Sequence, residues 1–291
     1  MSLGRGIYKI SSRYYSVRIA LQGGSNVDST SVVAWGTSDE RDEQLWLIEP
    51  VSGEADTYTV RNLCGGSYMD LSAAADGTSI TGFHSTGSNS QKWVIRKEST
   101  NGQSWKIQNK ATQTFADLSW GGTSNGTVIC GWQGAWSDTN GQSHQQWMFD
   151  IQSRTASEVH ASINNSSYIS RDFESYLSDG LYLILPRQKI QSIWQNSGLG
   201  NLAWRNDIFD CDDFATVFKG EIAKWGNQTF KADVSGFAML CGMMFGRQAT
   251  GAHAYNWFVD STDKSKIVFF EPQNGTYADN AWGYAGYFGL F

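Results

Sequence analysis

The tripeptides Gln44-Leu45-Trp46, Gln91-Lys92-Trp93 and Gln145-Gln146-Trp147 repeat one Gln-x-Trp pattern in the first half of the chain. Recurrence with a period of roughly 50 residues indicates that one supersecondary unit is copied three times. The repeat does not continue after Asp150. Since a chain of 291 residues is long enough for two domains, we predict one domain over residues 1–150 and a second over residues 151–291.

Each copy of the repeat has the pattern of a small β unit. In the third copy, Phe115-Ala116-Asp117-Leu118 precedes the glycine-containing turn Ser124-Asn125-Gly126-Thr127, and Val128-Ile129-Cys130-Gly131-Trp132 follows it. Repeats of about 45 residues also build β-propellers, but three blades are too few to close one. We therefore predict a closed, three-lobed β-barrel whose core contains Trp46, Trp93 and Trp147.

The composition excludes several classes of partner. The net charge is −6 and no basic stripe is present, so we expect neither nucleic acid nor an anionic membrane surface as a partner. No apolar run approaches the ~20 residues of a membrane span, so membrane insertion is not expected. The first residues lack the apolar core of a secretory signal. We therefore expect a cytoplasmic protein, or one released by a non-classical route.

Polar and aromatic residues recur around the tryptophans in two of the three copies. A carboxylate can accept from two vicinal sugar hydroxyls, an aromatic ring can stack on a sugar's C–H face, and an amide or imidazole can fix orientation. The candidate carbohydrate-binding residues are Asp70, Phe83, Asn89 and Gln91 in the second copy, and Asp117, Trp132, His144 and Gln145 in the third. The alternative, that Asp70 and Asp117 only cap turns, is disfavoured because the set recurs. Ala20 replaces the aspartate in the first copy, so we expect that site to be inactive or altered.

This pattern resembles the ricin-B type β-trefoil lectin family over nearly all of residues 1–150. The resemblance implies a β-trefoil in which the Gln-x-Trp motif has a structural role and the surrounding loops bind sugar. Asp117 and Trp132 together suit the face of galactose. We therefore expect galactose-terminated glycans of glycoproteins or glycolipids as ligands, with or without sialic acid.

The second half contains a thiol, an imidazole and a carboxylate on separate predicted elements. Apolar residues at positions 214, 218, 222 and 225 have helical spacing, and Asp210 is a good N-cap that places Cys211 at the first helical position. His253 lies in an alternating, strand-like segment, and Glu271 ends a buried-type strand. The three could act as nucleophile, base and orienting group, although spacing alone is weak support.

The whole chain is also similar to the chimeric mushroom agglutinins, in which such a trefoil precedes a second domain. The residues that carry this resemblance are 209–215 (FDCDDFA), 252–256 (AHAYN) and 269–275 (FFEPQNG). The resemblance implies an α+β, papain-like second domain that is a calcium-dependent cysteine endopeptidase acting on peptide substrates. It implies a catalytic triad of Cys211, His253 and Glu271, with Trp204 and Gln273 close by. It also implies a homodimer formed through the C-terminal domain.

The acidic residues beside Cys211 give calcium a physical role. Three carboxylates near a thiol place negative charge around it, and a calcium ion held by Asp212 and Asp213 would cancel that charge. We therefore expect low activity without metal. The alternative is that the two aspartates only favour the first turn of a helix.

Two other functions remain open from the sequence. In one, the chain is a lectin only, with a catalytically silent C-terminal dimerisation domain. In the other, the second half is a different Cys-His enzyme, such as an amidase or an acyl transferase.

Overall fold

The computed structural model describes residues 2–38, 40–100, 102–137, 143–176 and 179–291. The chain divides into two compact units, Met1–Gln152 with Thr229–Asp233, and Ser153–Gln228 with Val234–Phe291. The short segment belongs to the first unit because its backbone pairs there: the Lys231 N–H donates to the carbonyl of Leu63 over 3.0 Å. The sequence had not predicted this insertion.

The first unit consists of short strands joined by turns and single 3-10 turns. The strands are β1 (Gly6–Ser12), β2 (Val17–Leu21), β3 (Thr30–Gly36), β4 (Trp46–Pro50), β5 (Thr57–Asn62), β6 (Tyr68–Asp70), β7 (Thr78–Ser79), β8 (Thr81–Phe83), β9 (Lys92–Lys97), β10 (Trp105–Asn109), β11 (Phe115–Leu118), β12 (Thr127–Trp132) and β13 (Trp147–Ile151).

Six of these strands close a barrel and three hairpins cover it. Antiparallel pairing runs from β1 to β4, β5, β9, β10 and β13 and returns from β13 to β1. The hairpins β2–β3, β6–β8 and β11–β12 supply one cap for each lobe. They also pair with one another, β3 with β8 and β3 with β12. This is a β-trefoil, which confirms the predicted three-lobed barrel.

The three repeat tryptophans occupy equivalent positions in the core. Trp46, Trp93 and Trp147 are each 0% exposed. Their indole N–H groups donate to the backbone carbonyls of Ile19, Met69 and Ala116 over 2.9, 3.0 and 3.0 Å. Because a buried donor without a partner is costly, each tryptophan fixes the position of one cap strand. The structural role predicted for the motif is confirmed.

The second unit is rich in β structure and carries three helices among its described residues. Its strands are β14 (Ser153–Thr155), β15 (Ile169–Tyr176), β16 (Leu181–Leu183), β17 (Phe237–Met239), β18 (Gly242–Gln248), β19 (Gly251–Val259), β20 (Ile267–Glu271), β21 (Thr276–Ala278) and β22 (Ala285–Leu290), and its helices are α1 (Ala156–Asn164), α2 (Arg187–Ser197) and α3 (Cys211–Thr229). The sheets have the strand orders β14-β16-β17 and β15-β22-β18-β19-β20-β21. None of the helices in the described part of the chain is long and apolar enough to span a membrane.

Helix α3 packs on the larger sheet of this unit. The ring of Phe218 lies 4.9 Å from that of Phe270, and Asn256 Nδ2 donates to the carbonyl of Ala215 over 2.9 Å. The helix begins at Cys211, where the N-cap signal had placed it. Trp225 differs from the expectation, because it is only half-buried and has the Lys189 ammonium 5.3 Å from its ring.

Candidate functional sites

The third lobe brings its four predicted binding residues around one cavity. Strand β11 carries Asp117, β12 ends at Trp132, and the turn Ser143–Gln145 carries His144 and Gln145. These side chains line a cavity of about 430 Å³ together with residues 133–135. A cavity with one aromatic wall and a few convergent polar groups is typical of a small-ligand site.

The carboxylate of Asp117 in this cavity is largely shielded from water but lies among polar groups. Asp117 is buried, and burial raises its pKa, although a hydrogen bond from Gln145 and the nearby His144 act in the opposite direction. His144 Nδ1 lies 3.9 Å from Asp117 Oδ1. Gln145 Nε2 donates to the carbonyl of Gln133 over 3.0 Å, so this glutamine braces the loop that it helps to line.

The second lobe presents a related arrangement of side chains. Asp70 Oδ2 accepts from Ser90 Oγ over 2.9 Å. Phe83 ends β8 and lies 4.5 Å from the ring of His84, and Asn89 is exposed on the following 3-10 turn. The aromatic wall here is therefore a phenylalanine paired with an imidazole, in place of an indole.

The Gln-x-Trp motif does not predict two features of the second lobe. The amide of Gln91 is engaged with the loop backbone, since Nε2 donates to the carbonyl of His84 over 2.7 Å and Oε1 accepts from Thr86 N–H over 2.8 Å. His84, which carries no sequence pattern, is held through Nδ1 by Asp28 Oδ2 at 2.7 Å. No signal could have shown this pair, because its members are 56 positions apart.

The first lobe has no carboxylate at the position equivalent to Asp70 and Asp117, and a guanidinium lies over its aromatic ring. Ala20 is 1% exposed in the position that holds aspartate elsewhere. The guanidinium of Arg41 lies 4.4 Å from the centre of the Trp35 ring, and Glu43 holds that guanidinium at 2.7 Å. A cation–π contact of this kind occupies one face of the indole.

The second unit brings the thiol, imidazole and carboxylate together. Cys211 begins α3, His253 lies on β19 and Glu271 ends β20. His253 Nε2 is 2.6 Å from Glu271 Oε2. Burial alone would lower the pKa of His253, but hydrogen bonds with Cys211 and Glu271 outweigh it and raise the pKa to about 9.

The two residues expected near this cluster lie in different settings. The backbone N–H of Gln273 donates to Glu271 Oε1 over 3.2 Å, so this residue helps to hold the carboxylate. Trp204 is 52% exposed in the loop before α3. Trp194, which the sequence did not single out, donates through Nε1 to the carbonyl of Pro272 over 2.7 Å.

The acidic residues beside Cys211 are not equally available as metal ligands. Ligand atoms of Asp210, Cys211 and Asp212 lie within 4.8 Å of one another. Asp210 Oδ1 is buried without a hydrogen-bond partner in the described part of the structure. Asp213, by contrast, already accepts from the Asp210 N–H through Oδ2 at 3.1 Å. The geometry therefore fits a cation at Asp210 and Asp212 better than at the predicted pair, Asp212 and Asp213.

Comparison with known proteins places the chain in a family. Residues 2–83 match the ricin-type β-trefoil lectin domain-like family, and residues 182–277 match the agglutinin C-terminal family. The Polyporus squamosus lectin, solved with the human-type influenza-binding epitope Neu5Acα2-6Galβ1-4GlcNAc, is 52% identical with a TM-score of 0.89. PSL1a, solved as a complex with E64, is 51% identical with a TM-score of 0.88. Both alignments cover 100% of each chain. The chain therefore belongs to the chimeric agglutinins that join a ricin-type β-trefoil lectin domain to an agglutinin C-terminal domain. None of the curated proteins matches it.

The prediction of a calcium-dependent cysteine endopeptidase is wrong. The family found for the second half is an agglutinin domain and not a peptidase, and the full-length similarity is to a lectin. A thiol, an imidazole and a carboxylate in contact do not by themselves establish catalysis, because structural ion pairs perturb pKa values in the same way. Since the enzymatic prediction is wrong, the prediction of peptide substrates has no support either.

Proposed function

We propose that this protein is a lectin whose third lobe binds galactose-terminated glycans. The observation that carries the proposal is the convergence of Asp117, Trp132 and His144 on one cavity of about 430 Å³. The carboxylate of Asp117 can accept from two sugar hydroxyls, and the indole of Trp132 can stack on the apolar face of the ring.

Sialylated galactose belongs to the same proposal. It is supported by the similar Polyporus squamosus lectin, which was solved with a sialylated, galactose-containing trisaccharide. The second lobe, with Asp70 and Phe83, serves as a second and different site. The first lobe is silent, since Ala20 offers no carboxylate and Arg41 covers the ring of Trp35.

A glycan array tests this specificity with three proteins. We expect the wild type to bind glycans ending in galactose, with and without sialic acid. Asp117→Asn keeps the side-chain shape but removes the charge, so it should weaken third-lobe binding about tenfold or more, because hydrogen bonds to charged groups are worth roughly 1.5–3 kcal/mol. Asp70→Asn is the matched variant for the second lobe. Binding confined to glycans without galactose would refute the proposal.

We propose in addition that calcium binds the second unit through Asp210 and Asp212. The support is the buried, unpartnered Oδ1 of Asp210 and the interaction of the two carboxyls. Their mutual hydrogen bond lowers the pKa of Asp210 and raises that of Asp212. A hard cation with oxygen ligands would offset the repulsion between two carboxylates this close together. Calcium would then have a structural effect at the start of α3.

We also propose that the second unit has a papain-like arrangement and forms a homodimer. A helix that begins at Cys211 and packs on the sheet containing His253 supports the first part. The long edge strand β15 supports the second, because unpaired backbone groups at a sheet edge are available to another chain.

A further inference from the structure

Trp120 is an exposed indole beside the third-lobe cavity. It follows β11 directly, in the turn Ser119–Gly121, and is 85% exposed. Its ring centre lies 6.0 Å from that of Trp132, with 64° between the ring planes. The aromatic wall of the cavity therefore continues outward onto a second indole, and that indole is exposed.

The backbone of Trp120 is strained. It has φ 53° and ψ 19°, a left-handed conformation that bulky residues rarely adopt. The corresponding turn of the first lobe, Gln22–Gly24, has Gly23 at φ 61° and ψ 12°. Glycine adopts this conformation without cost. Strain of this kind persists where the surrounding structure imposes it, and it concentrates at functional positions.

The turn is held against the wall of the cavity. A Cβ on Gly121 would lie 2.8 Å from His144 Nε2 and 2.9 Å from the Tyr15 hydroxyl oxygen, so only glycine permits this approach. Tyr15 in turn contacts Ser143 through its hydroxyl at 3.3 Å. The position of Trp120 is therefore coupled to the residues that line the sugar site.

We infer that Trp120 forms an extension of the third-lobe site, which binds an N-acetylated sugar linked to the galactose. This inference rests on the proposed galactose specificity. Two indoles set edge to face offer surfaces to two consecutive sugars. The acetamido methyl group and the C–H face of the ring are the apolar parts of such a residue. This chemistry is shared by a sialic acid attached to galactose and by an N-acetylglucosamine to which galactose is attached.

Titration calorimetry separates these sources. All proteins carry Asp70→Asn, so that only the third lobe is measured, and the ligands are lactose, N-acetyllactosamine and sialyllactose. Trp120→Gly copies the first-lobe residue and suits the left-handed backbone. We expect it to bind lactose within about twofold of the parent and at least one N-acetylated ligand about fivefold more weakly. A loss with sialyllactose identifies the sialic acid, and a loss with N-acetyllactosamine identifies the N-acetylglucosamine.

Two variants make the outcome decisive. Trp120→Phe retains an aromatic face and should recover part of the lost affinity. Trp132→Ala should abolish lactose binding. If lactose does not bind the parent, or binds Trp132→Ala equally well, the proposed galactose site is refuted. If lactose binding depends on Trp132, but Trp120→Gly binds all three ligands like the parent or loses all three equally, the extension is overturned. Thermal unfolding no lower than the parent's verifies that Trp120→Gly is folded.

Discussion

Within each repeat, the residue whose carbonyl anchors the lobe directly precedes the position that is proposed to face a ligand. The indoles of Trp46, Trp93 and Trp147 bind carbonyls of Ile19, Met69 and Ala116. Each of these residues immediately precedes the position occupied by Ala20, Asp70 or Asp117. The scaffold therefore holds that position in place whatever side chain it carries. This explains how one lobe can lose its carboxylate while the barrel stays intact.

At the residue scale, calcium binding gives a prediction that distinguishes Asp212 from Asp213. Calcium at about 100 times its Kd should stabilise the folded protein by roughly 2.7 kcal/mol, which raises the Tm by several degrees. Asp212→Asn should remove this shift, since it removes a ligand charge. Asp213→Asn is the control: it retains an acceptor for the Asp210 N–H and should keep the shift. Differential scanning calorimetry in calcium, magnesium and chelator provides the measurement. An unchanged shift in Asp212→Asn would assign the ion elsewhere.

The cap strands carry a sequence pattern whose physical cause is visible only in the folded structure. The aromatic residue of each cap follows a small one: Ala34-Trp35, Gly82-Phe83 and Gly131-Trp132. Added Cβ atoms would lie 2.7 Å from Leu21 Cδ1 at Gly82 and 2.6 Å from Leu71 Cδ2 at Gly131. The alternation of small and aromatic residues is visible in the sequence. The reason for it, close packing of one lobe against the next, appears only in the folded structure.

At this scale we predict that Gly131→Ala destabilises the trefoil. The added methyl group would contact Leu71 and come within 2.8 Å of Thr114 Oγ1. Overpacking of this kind typically costs about 1–3 kcal/mol. Gly220→Ala is a control of opposite sign, because Gly220 is exposed on α3 with nothing within 4 Å of an added Cβ, and alanine favours a helix by about 1 kcal/mol. Denaturant titration followed by tryptophan fluorescence measures both. Equal stability of Gly131→Ala and wild type would show that the lobes can separate without cost.

For the whole molecule, β15 offers a test of the proposed homodimer. This eight-residue strand lies at one edge of the six-stranded sheet, with Tyr176 65% exposed. Light scattering coupled to size exclusion should give twice the 32.2 kDa of one chain. Arg171→Pro removes a backbone donor at this edge and should shift the protein towards the monomer. Arg171→Ala should remain dimeric. A wild type that is monomeric at all accessible concentrations contradicts the proposal.

The sequence by itself determined the parts of this protein that depend on local pattern. The spacing of the Gln-x-Trp motifs defined a three-lobed barrel with buried tryptophans, and the N-cap before Cys211 placed the start of α3. The first follows from a repeat period and the second from helix capping, and both can be read from the order of residues alone. The same sequence led to a wrong enzymatic prediction, because a resemblance identifies a fold more safely than an activity.

Only the tertiary structure decided which of the repeated and clustered side chains can act. It placed Arg41 over Trp35, brought His84 to Asp28, committed Asp213 to capping, and set the exposed Trp120 beside Trp132. These outcomes depend on side-chain geometry, and in some cases on contacts between residues far apart in the chain. Motif spacing carries no information about such contacts. The sequence therefore shows that the first lobe lacks the aspartate, but only the folded chain shows which side chains surround each site.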